Sequence, residues 1–415
     1  MHTNRRFFLR NGTLAIAGTA AIPSFLVRSV MAETDGSRRG RLVVVFQRGA
    51  VDGLNVVVPY REKSYYAMRP TIGIPAKSVL DLDGFFGLHP SLASLEPLYR
   101  RGQLAIVHAA GSPDMTRSHF DAQDYMESGT PGVKSTADGW LNRALQAEDL
   151  RHKCEHTAFR AIALGAQVPR TLSGSVPALA IGNVNNFTVG GHVEAPVSPA
   201  AGAFEAMYSD SGDSILHATG EATFEAVKML RAADPAQYEP VAGAEYPNSE
   251  FGNNMRQIAQ LLKANLGVEA AFTDVSGWDT HQNQGGVEGQ LSNRLRDFSD
   301  SISAFWRDMG DRGEDITLVT MSEFGRTARQ NGTGGTDHGH ANAMFVLGGR
   351  VRGGKVFGRW PGLADHELNE GRDLAVTTDF RAVLGEVVSK SIGASNFERV
   401  FPGAKIDPSR FLKLV

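Results

Sequence analysis

The sequence contains a single cysteine, Cys154, among 415 residues. One cysteine excludes a disulfide within the chain, and it also excludes a zinc site built from several thiolates. Any metal ion that this chain binds must therefore be held by histidine, aspartate and glutamate side chains.

A strong excess of charge of either sign is also missing. The 42 lysine and arginine residues nearly balance the 45 aspartate and glutamate residues, which leaves a formal net charge of -3. Such a chain has no long-range field that would gather nucleic acid, and no run of like charges marks a binding tail. We therefore expect a small-molecule partner and no nucleic acid.

The first residues, "MHTNRRFFLRNGTLAIAGTAAIPSFLVRSVMAETDG", have the order of an export signal. Arg5 and Arg6 precede a weakly apolar stretch, and small residues then lead to Ala32. The pattern resembles a twin-arginine signal, although Asn4 stands where that signal usually has Ser or Thr. An amphipathic first helix or an uncleaved anchor is the alternative, but Pro23 disfavours a spanning helix. We expect cleavage after Ala32, passage through the twin-arginine translocase, a periplasmic or secreted product, and no membrane span in the mature chain.

The rest of the chain alternates short apolar runs with helical stretches. A hydrophobic content of 42% is enough for a large core. Strands are predicted at about 42–46, 104–108, 159–165, 268–275, 315–323 and 341–349, and helices at about 91–100, 137–147, 252–266, 289–310 and 378–390. The first strand, helix and strand predict a right-handed parallel crossover. The expected fold is α/β, a doubly wound and mostly parallel sheet with helices on both faces.

One segment does not follow this alternation. Residues from about 166 to 250 are rich in Gly, Ala, Ser and Pro and have few strong strand patterns. We interpret them as an insertion or cap, helical in the second half around "EATFEAVKMLRAA", within a single domain over residues 33–415.

Ligands of open α/β sheets bind at the carboxyl ends of the strands. Several polar side chains follow predicted strands, and we expect them to meet at that edge: Asp52, then Thr116, Arg117, Ser118 and His119, then Asp274, Asp279 and His281, then Glu323 and Arg326. Asp337, His338 and His340 instead precede their strand, so they must arrive on a loop folded over the same edge.

Converging carboxylates and imidazoles favour a bound cation. Carboxylates that meet without one would repel each other and take up protons. The mixture of oxygen and imidazole donors suits Zn²⁺, Mn²⁺ or Fe better than Ca²⁺, with Zn²⁺ or Mn²⁺ expected first. A solvated Asp-His-Gly-His turn is the alternative. We expect His89, His108 and Trp278 to be structural, and Cys154 has no context typical of a nucleophile.

Five motifs occur in order: "FQRGAVDGLN", "TRSHFDAQDYMESG", "DVSGWDTHQNQ", "SEFGRT" and "TDHGHANAMFVLGG". Together they resemble the bacterial domain of unknown function family 1501 over nearly the whole mature chain. That family is related to the alkaline phosphatase and sulfatase superfamily. The resemblance therefore implies an alkaline-phosphatase-like fold and a hydrolase centre with two metal ions.

The resemblance also implies roles for single residues. It makes Asp52 the first-strand metal ligand, Ser118 or Thr116 the nucleophile, Asp279 and His281 a ligand pair, and His338 or His340 the last histidine ligand. The superfamily's Asp-His-Gly should fall at Glu323-Phe324-Gly325, so one histidine is missing there. The departure implies that one metal is lost or moved, which would leave a single-metal or a degenerate site.

The candidate catalytic residues each have a plain structural alternative. Ser118 is either a nucleophile or an N-cap of the following helix. Arg117 and the helix N-terminus would stabilise a bound oxyanion. Arg326 either binds a phosphate or sulfate group in a bidentate manner or pairs with a carboxylate.

Two function classes remain open. In the first, the mature chain is an exported metal-dependent hydrolase of a phosphate or sulfate ester, on a small anionic or sugar substrate. Its metal ligands would come from Asp52, Asp279, His281, Glu323, Asp337, His338 and His340. In the second, it is a binding or assembly protein that keeps the hydrolase fold without turnover.

Overall fold

The structure is a computed structural model that describes residues 40–149, 156–184, 226, 229–230 and 237–415. The predicted signal segment, Cys154 and most of the predicted insertion lie outside the described residues. Ala226, Met229 and Leu230 of the insertion are described and are helical. No helix of the described residues is both long and apolar enough to cross a membrane.

Nine strands form the central sheet of the described part, in the order β11-β5-β10-β9-β1-β8-β6-β7, with β12 also paired to β5. Their bounds are β1 Arg41–Arg48, β5 Leu104–Gly111, β6 Ala161–Leu164, β7 Leu179–Ile181, β8 Ala270–Ser276, β9 Ile316–Met321, β10 Asn342–Gly348, β11 Val356–Phe357 and β12 Thr378–Asp379. A small antiparallel sheet consists of β2 Val57–Val58, β4 Gly87–Leu88 and β3 Leu80–Asp81.

Strand β10 runs against the direction of its neighbours. It pairs antiparallel with both β9 and β5, whereas β9, β1, β8, β6 and β7 are parallel to one another. Reversing one strand brings its first residue to the edge where its neighbours end. The loop before Asn342 therefore reaches the carboxyl edge of the parallel strands. The sequence predicts this position for the loop that carries Asp337, His338 and His340.

Helices cover both faces of the sheet. Val43 and Val45 of β1 face the core that holds the helices Glu250–Lys263 and Gln290–Met309, whereas Leu42 and Val44 face the core that holds the helices Trp140–Asp149 and Phe380–Ser391. This arrangement confirms the predicted doubly wound, mostly parallel α/β fold. The helix bounds are α1 Gly53–Val56, α2 Lys63–Met68, α3 Glu96–Arg100, α4 His119–Ser128, α5 Trp140–Asp149, α6 Glu250–Lys263, α7 Gln290–Met309, α8 Phe380–Ser391 and α9 Phe397–Val400.

Three details differ from the sequence-based expectation. The helix predicted over 91–100 is a 3-10 turn at Pro90–Leu92 followed by α3, because Pro97 has no backbone N–H and so cannot continue the hydrogen bonding of a preceding helical turn. Strands β1 and β5 are parallel, but β9 and β10 lie between them. Strand β7 lies inside the predicted insertion and pairs with β6, so the first part of that segment extends the main sheet.

The residues expected to be structural are buried. Trp278 and His89 are fully buried, and His108 is 2% exposed. His108 lies with one ring nitrogen 2.9 Å from the Val57 carbonyl oxygen, and burial lowers its pKa to about 4. It is a neutral core histidine.

Candidate metal centre

Four side chains from two loops and one helix meet at the carboxyl edge of the sheet. Asp279 and His281 follow β8, His338 precedes β10, and His119 is the first residue of α4. We refer to these four residues as the histidine centre. The antiparallel direction of β10 is what allows His338 to join residues that follow parallel strands.

The three imidazoles converge through their Nε2 atoms. His338 Nε2 lies 3.0 Å from His119 Nε2 and 3.0 Å from His281 Nε2. Asp279 Oδ1 lies 3.3 Å from His338 Nε2 and 3.0 Å from His281 Nε2, and its Oδ2 lies 3.5 Å from His119 Nε2. The ligand atoms of His119, Asp279 and His338 all lie within 4.8 Å of one another.

Each imidazole is held from behind by an acceptor on its Nδ1 atom. The pairs are His119 with Glu323 Oε1 at 2.8 Å, His281 with Asp337 Oδ1 at 3.1 Å, and His338 with the Arg117 carbonyl oxygen at 2.8 Å. An Nδ1 atom that faces an acceptor carries the hydrogen, so the lone pair is on Nε2. Outer partners of this kind orient histidines that bind a metal ion, so the arrangement is that of a candidate metal site.

Glu323 is the most deeply buried of these supports. Its side chain is 0% exposed, and Oε1 accepts hydrogen bonds from Gly49 N at 2.8 Å and from Gln123 Nε2 at 2.9 Å in addition to His119. Gly49 has a φ of 113°, which favours glycine and turns its N–H toward the carboxylate. Burial acts to raise the pKa of Glu323, but the hydrogen bonds from His119 and Gln123 outweigh it and the pKa is lowered.

The Asp279 carboxylate is paired with the positively charged guanidinium of Arg326. Arg326 donates from Nη1 to Asp279 Oδ1 at 2.8 Å, and its Nε donates to Thr336 Oγ1 at 3.2 Å. Burial acts to raise the pKa of Asp279, but the hydrogen bond and charge of Arg326 lower it overall. The Asp279 carboxylate is therefore ionised and available to a metal ion.

The pKa values of two histidines shift in opposite directions. The hydrogen bond to Glu323 is the largest cause that raises the pKa of His119, whereas burial is the largest cause that lowers the pKa of His338. His338, at the middle of the cluster, is thus held neutral, the form that binds a metal.

The structure brings some of the predicted ligands together and separates others. Asp279, His281 and His338 meet, and Glu323 and Asp337 stand behind the histidines rather than beside them. Asp52 instead forms a buried ion pair with Arg69 at 2.6 Å. His340 is buried, and its Nε2 lies 2.9 Å from the Ser112 carbonyl oxygen.

The predicted catalytic residues surround the start of α4. Ser118 is the N-cap of α4, and its exposed side chain accepts from Asp121 N at 3.5 Å. Thr116 Oγ1 accepts from Ser118 N at 3.2 Å. The Arg117 guanidinium pairs with Asp373 and Glu370 at 2.6 Å each, so it points to carboxylates while its carbonyl oxygen supports His338.

His119 was absent from the ligand set predicted from sequence. Its signal was its place in "TRSHFDAQ", where a histidine opens a helix just after a buried strand. Gln123 follows one turn later and donates to the same Glu323 carboxylate. A histidine and a glutamine on one helix face, above a sheet edge with other histidines, are a usable sequence sign of the centre.

The fold and this centre define a class of protein: an α/β chain with a mostly parallel sheet and histidine and aspartate side chains gathered at its carboxyl edge. The chain belongs to the family described as "Protein of unknown function (DUF1501)", whose model matches residues 39–401. The predicted family is therefore confirmed. No curated protein matches the sequence.

Several solved structures resemble the chain at low identity. One is the C-terminal periplasmic domain of EcEptC from Escherichia coli in complex with Zn, at 11% identity, covering 76% of this chain and 74% of that chain with a TM-score of 0.35. A Vibrio parahaemolyticus protein of the alkaline phosphatase superfamily is 12% identical, with 80% and 70% covered and a TM-score of 0.30. The PsFucS1 sulfatase from Pseudoalteromonas sp. is 13% identical, with 81% and 68% covered and a TM-score of 0.33.

Proposed function

We propose that the mature chain is an exported metal-dependent hydrolase of a phosphate or sulfate ester, with its metal ion bound in the histidine centre. The observation that carries the proposal is the convergence of the three Nε2 atoms on one carboxylate, each ring fixed by an acceptor on Nδ1. A bound cation would accept the three nitrogen atoms and the carboxylate together.

The donor set fits a transition metal. Three imidazole nitrogens and one carboxylate oxygen suit Zn²⁺, Mn²⁺ or Fe²⁺, whereas Ca²⁺ prefers a shell of oxygen ligands. The Asp279 and His281 side chains are 43% and 39% exposed, so a substrate can approach the centre from that side. When bound, the cation would supply charge stabilisation and a water molecule of lowered pKa.

The surrounding residues contribute charge and orientation. Arg326 is fully buried, and its Nη2 group has no hydrogen-bond partner among the described residues. Because this group is itself buried, Arg326 would act on the centre through its hydrogen bond to Asp279 and not by direct contact with the substrate. The backbone N–H groups at the start of α4 add partial positive charge on the side of His119. Ser118 remains the candidate nucleophile of the chain itself, because it stands next to His119 with an exposed hydroxyl.

A second function has one observation in its favour. Four protein side chains around one point resemble structural zinc sites, which are closed by four ligands, whereas catalytic sites keep a position open for water or substrate. In that case the chain would be a binding or assembly protein with a structural metal. Turnover decides between the two.

The deciding experiment measures hydrolysis of p-nitrophenyl phosphate, bis(p-nitrophenyl) phosphate and p-nitrophenyl sulfate by the metal-loaded mature chain. We expect a rate that disappears with chelation and returns with Zn²⁺ or Mn²⁺. Ser118→Ala should lower the rate by orders of magnitude if Ser118 attacks, whereas loss of a cap costs only about 1 kcal/mol of stability. Background rates across the panel at full metal occupancy would contradict hydrolysis and favour the binding protein.

Export is tested separately, because it concerns residues 1–32. Arg5→Lys with Arg6→Lys should keep the precursor in the cytoplasm, and Arg10→Lys is the matched control for loss of one guanidinium nearby. Cell fractionation provides the measurement. Periplasmic protein from the paired variant at wild-type level would contradict the twin-arginine route.

A further inference from the structure

We infer that the histidine centre binds one cation per chain. The guanidinium of Arg69 neutralises the Asp52 carboxylate in place of a second cation. The inference rests on the proposed metal binding at the histidine centre. It concerns a different carboxylate at the same sheet edge, and it assigns a role to an arginine that the proposed function does not use.

Asp52 and Arg69 form an ion pair that is sealed from water. Both side chains are 0% exposed, and Arg69 Nη1 lies 2.6 Å from Asp52 Oδ2. Gln284 Nε2 donates to the same oxygen at 2.6 Å. A carboxylate removed from water must be neutralised by a nearby positive charge, and here a guanidinium supplies it.

Arg69 is fixed in this position by further acceptors. Its Nη1 also donates to Asn55 Oδ1 at 2.7 Å, its Nε donates to Ala328 O at 2.9 Å, and its Nη2 donates to Thr327 O at 2.9 Å. A guanidinium held on three sides cannot swing away to admit a metal ion without leaving several buried acceptors unpaired. The pair is therefore a permanent part of the fold.

Asp52 is also not part of a group of potential metal ligands. The groups of at least three potential ligands found in the described part of the chain are His119, Asp279 and His338, and Glu148, Asp149 and His156. Neither includes Asp52. Glu323, another buried carboxylate at this edge, accepts on both oxygens, because Ser322 Oγ donates to its Oε2 at 3.0 Å.

A neutral bridge connects the two carboxylate and arginine pairs. Gln284 donates to Asp52 and accepts from Thr336 Oγ1 at 2.8 Å, and Thr336 Oγ1 in turn accepts from Nε of Arg326 at 3.2 Å. Asp52 with Arg69 and Asp279 with Arg326 are thus two similar pairs at the two ends of one hydrogen-bonded chain. Among the described residues, imidazole nitrogens contact Asp279 but not Asp52, so the Asp279 end is the one that offers a set of ligands for a cation.

The test is the number of metal ions per folded chain, measured by elemental analysis after titration with Zn²⁺ and removal of excess. We expect wild type to saturate at one, and His338→Ala to fall toward none. The double variant Asp52→Asn with Arg69→Met removes both buried charges together and should still saturate at one. Two ions in wild type, with one lost in the double variant, would overturn the inference and leave the proposed hydrolase intact.

A second measurement covers the case in which the double variant does not fold. Wild type loaded with Mn²⁺ should give the electron paramagnetic resonance spectrum of an isolated ion at saturation. The spectrum of a spin-coupled pair would contradict the inference. Failure of wild type to bind Zn²⁺ or Mn²⁺ at all would instead overturn the proposed metal-dependent function, and the single-cation assignment would fall with it.

Discussion

The two edges of the sheet each gather histidine and carboxylate side chains, but they organise them differently. At the amino edge, Arg160 fills the middle of the group and contacts Glu269 at 3.0 Å, Asp149 at 2.7 Å and Glu148 at 3.1 Å. We call these residues, with His156, the amino-edge cluster. At the carboxyl edge, the side chains of the histidine centre point their lone pairs inward, and Arg326 touches only Asp279 from outside.

The histidines show the difference most clearly. Both ring nitrogens of His156 face carboxylates, at 3.0 Å from Glu269 Oε1 and 2.9 Å from Asp149 Oδ1. In the histidine centre, His119 and His281 also face a carboxylate with each ring nitrogen, but their Nε2 atoms in addition approach a third imidazole nitrogen, Nε2 of His338, at 3.0 Å. Residue types and distances alone would place a metal ion in either group. What decides is whether the middle already holds a positive charge, and at the amino edge it does.

The largest effect should come from removing one histidine from each edge. We expect His338→Ala to abolish metal retention, because its Nε2 contacts both neighbouring imidazoles and Asp279. His156→Ala should leave the metal content unchanged and lower only the melting temperature. Elemental analysis and thermal unfolding of both variants provide the comparison. Full metal occupancy in His338→Ala would remove the distinction between the two edges.

A smaller effect should follow from changing the supports of the histidine centre. Glu323→Gln keeps the shape of the side chain but removes the charge behind His119, and we expect Zn²⁺ affinity to fall by about 10- to 100-fold. Asp337→Asn is the matched variant behind His281. The Asp337 side chain is 51% exposed, so water can replace its hydrogen bond and the loss should be smaller. Competition with a zinc chelator gives the two dissociation constants, and equal losses would contradict the role assigned to burial.

The smallest effect concerns the amino-edge cluster and appears only in stability. Burial acts to raise the pKa of Glu269, but the hydrogen bond from His156 and the charge of Arg160 lower it overall. A lowered folded pKa stabilises the protein above the unfolded pKa of about 4.3, and that contribution is lost as pH falls through the folded value. Glu269→Gln should therefore cost roughly 1 kcal/mol near neutral pH, because Arg160 keeps its contacts with Asp149 and Glu148.

The pH dependence provides the control for that variant. The difference in unfolding free energy between wild type and Glu269→Gln should shrink as the pH is lowered below about 4.3, because the wild-type carboxyl then takes up a proton. Metal content should stay the same throughout the range in which both proteins are folded. A difference that grows in acid would contradict the ion-pair explanation.

Much of the fold could be predicted from the sequence because it depends on local patterns. The apolar run at Leu42–Phe46 predicts a strand buried on both faces, and β1 over Arg41–Arg48 has Leu42 through Gln47 buried. The apolar run after "TDHGH" likewise predicts β10. Its direction could not be predicted, because antiparallel pairing with β9 and β5 is decided by contacts between residues far apart in the sequence.

The candidate site could likewise be predicted only in part from the sequence. By itself, the sequence determined that Asp279, His281 and His338 stand next to strand ends, and their residue types already indicated a metal. Only the tertiary structure decided which atoms point inward, since this depends on distances between loops that are more than fifty residues apart, such as the 3.0 Å between His281 and His338. It also decided that Glu323 supports His119 and that Asp52 pairs with Arg69. A carboxylate looks the same in a sequence whether a metal, an imidazole or a guanidinium will neutralise it, and the choice is made by packing.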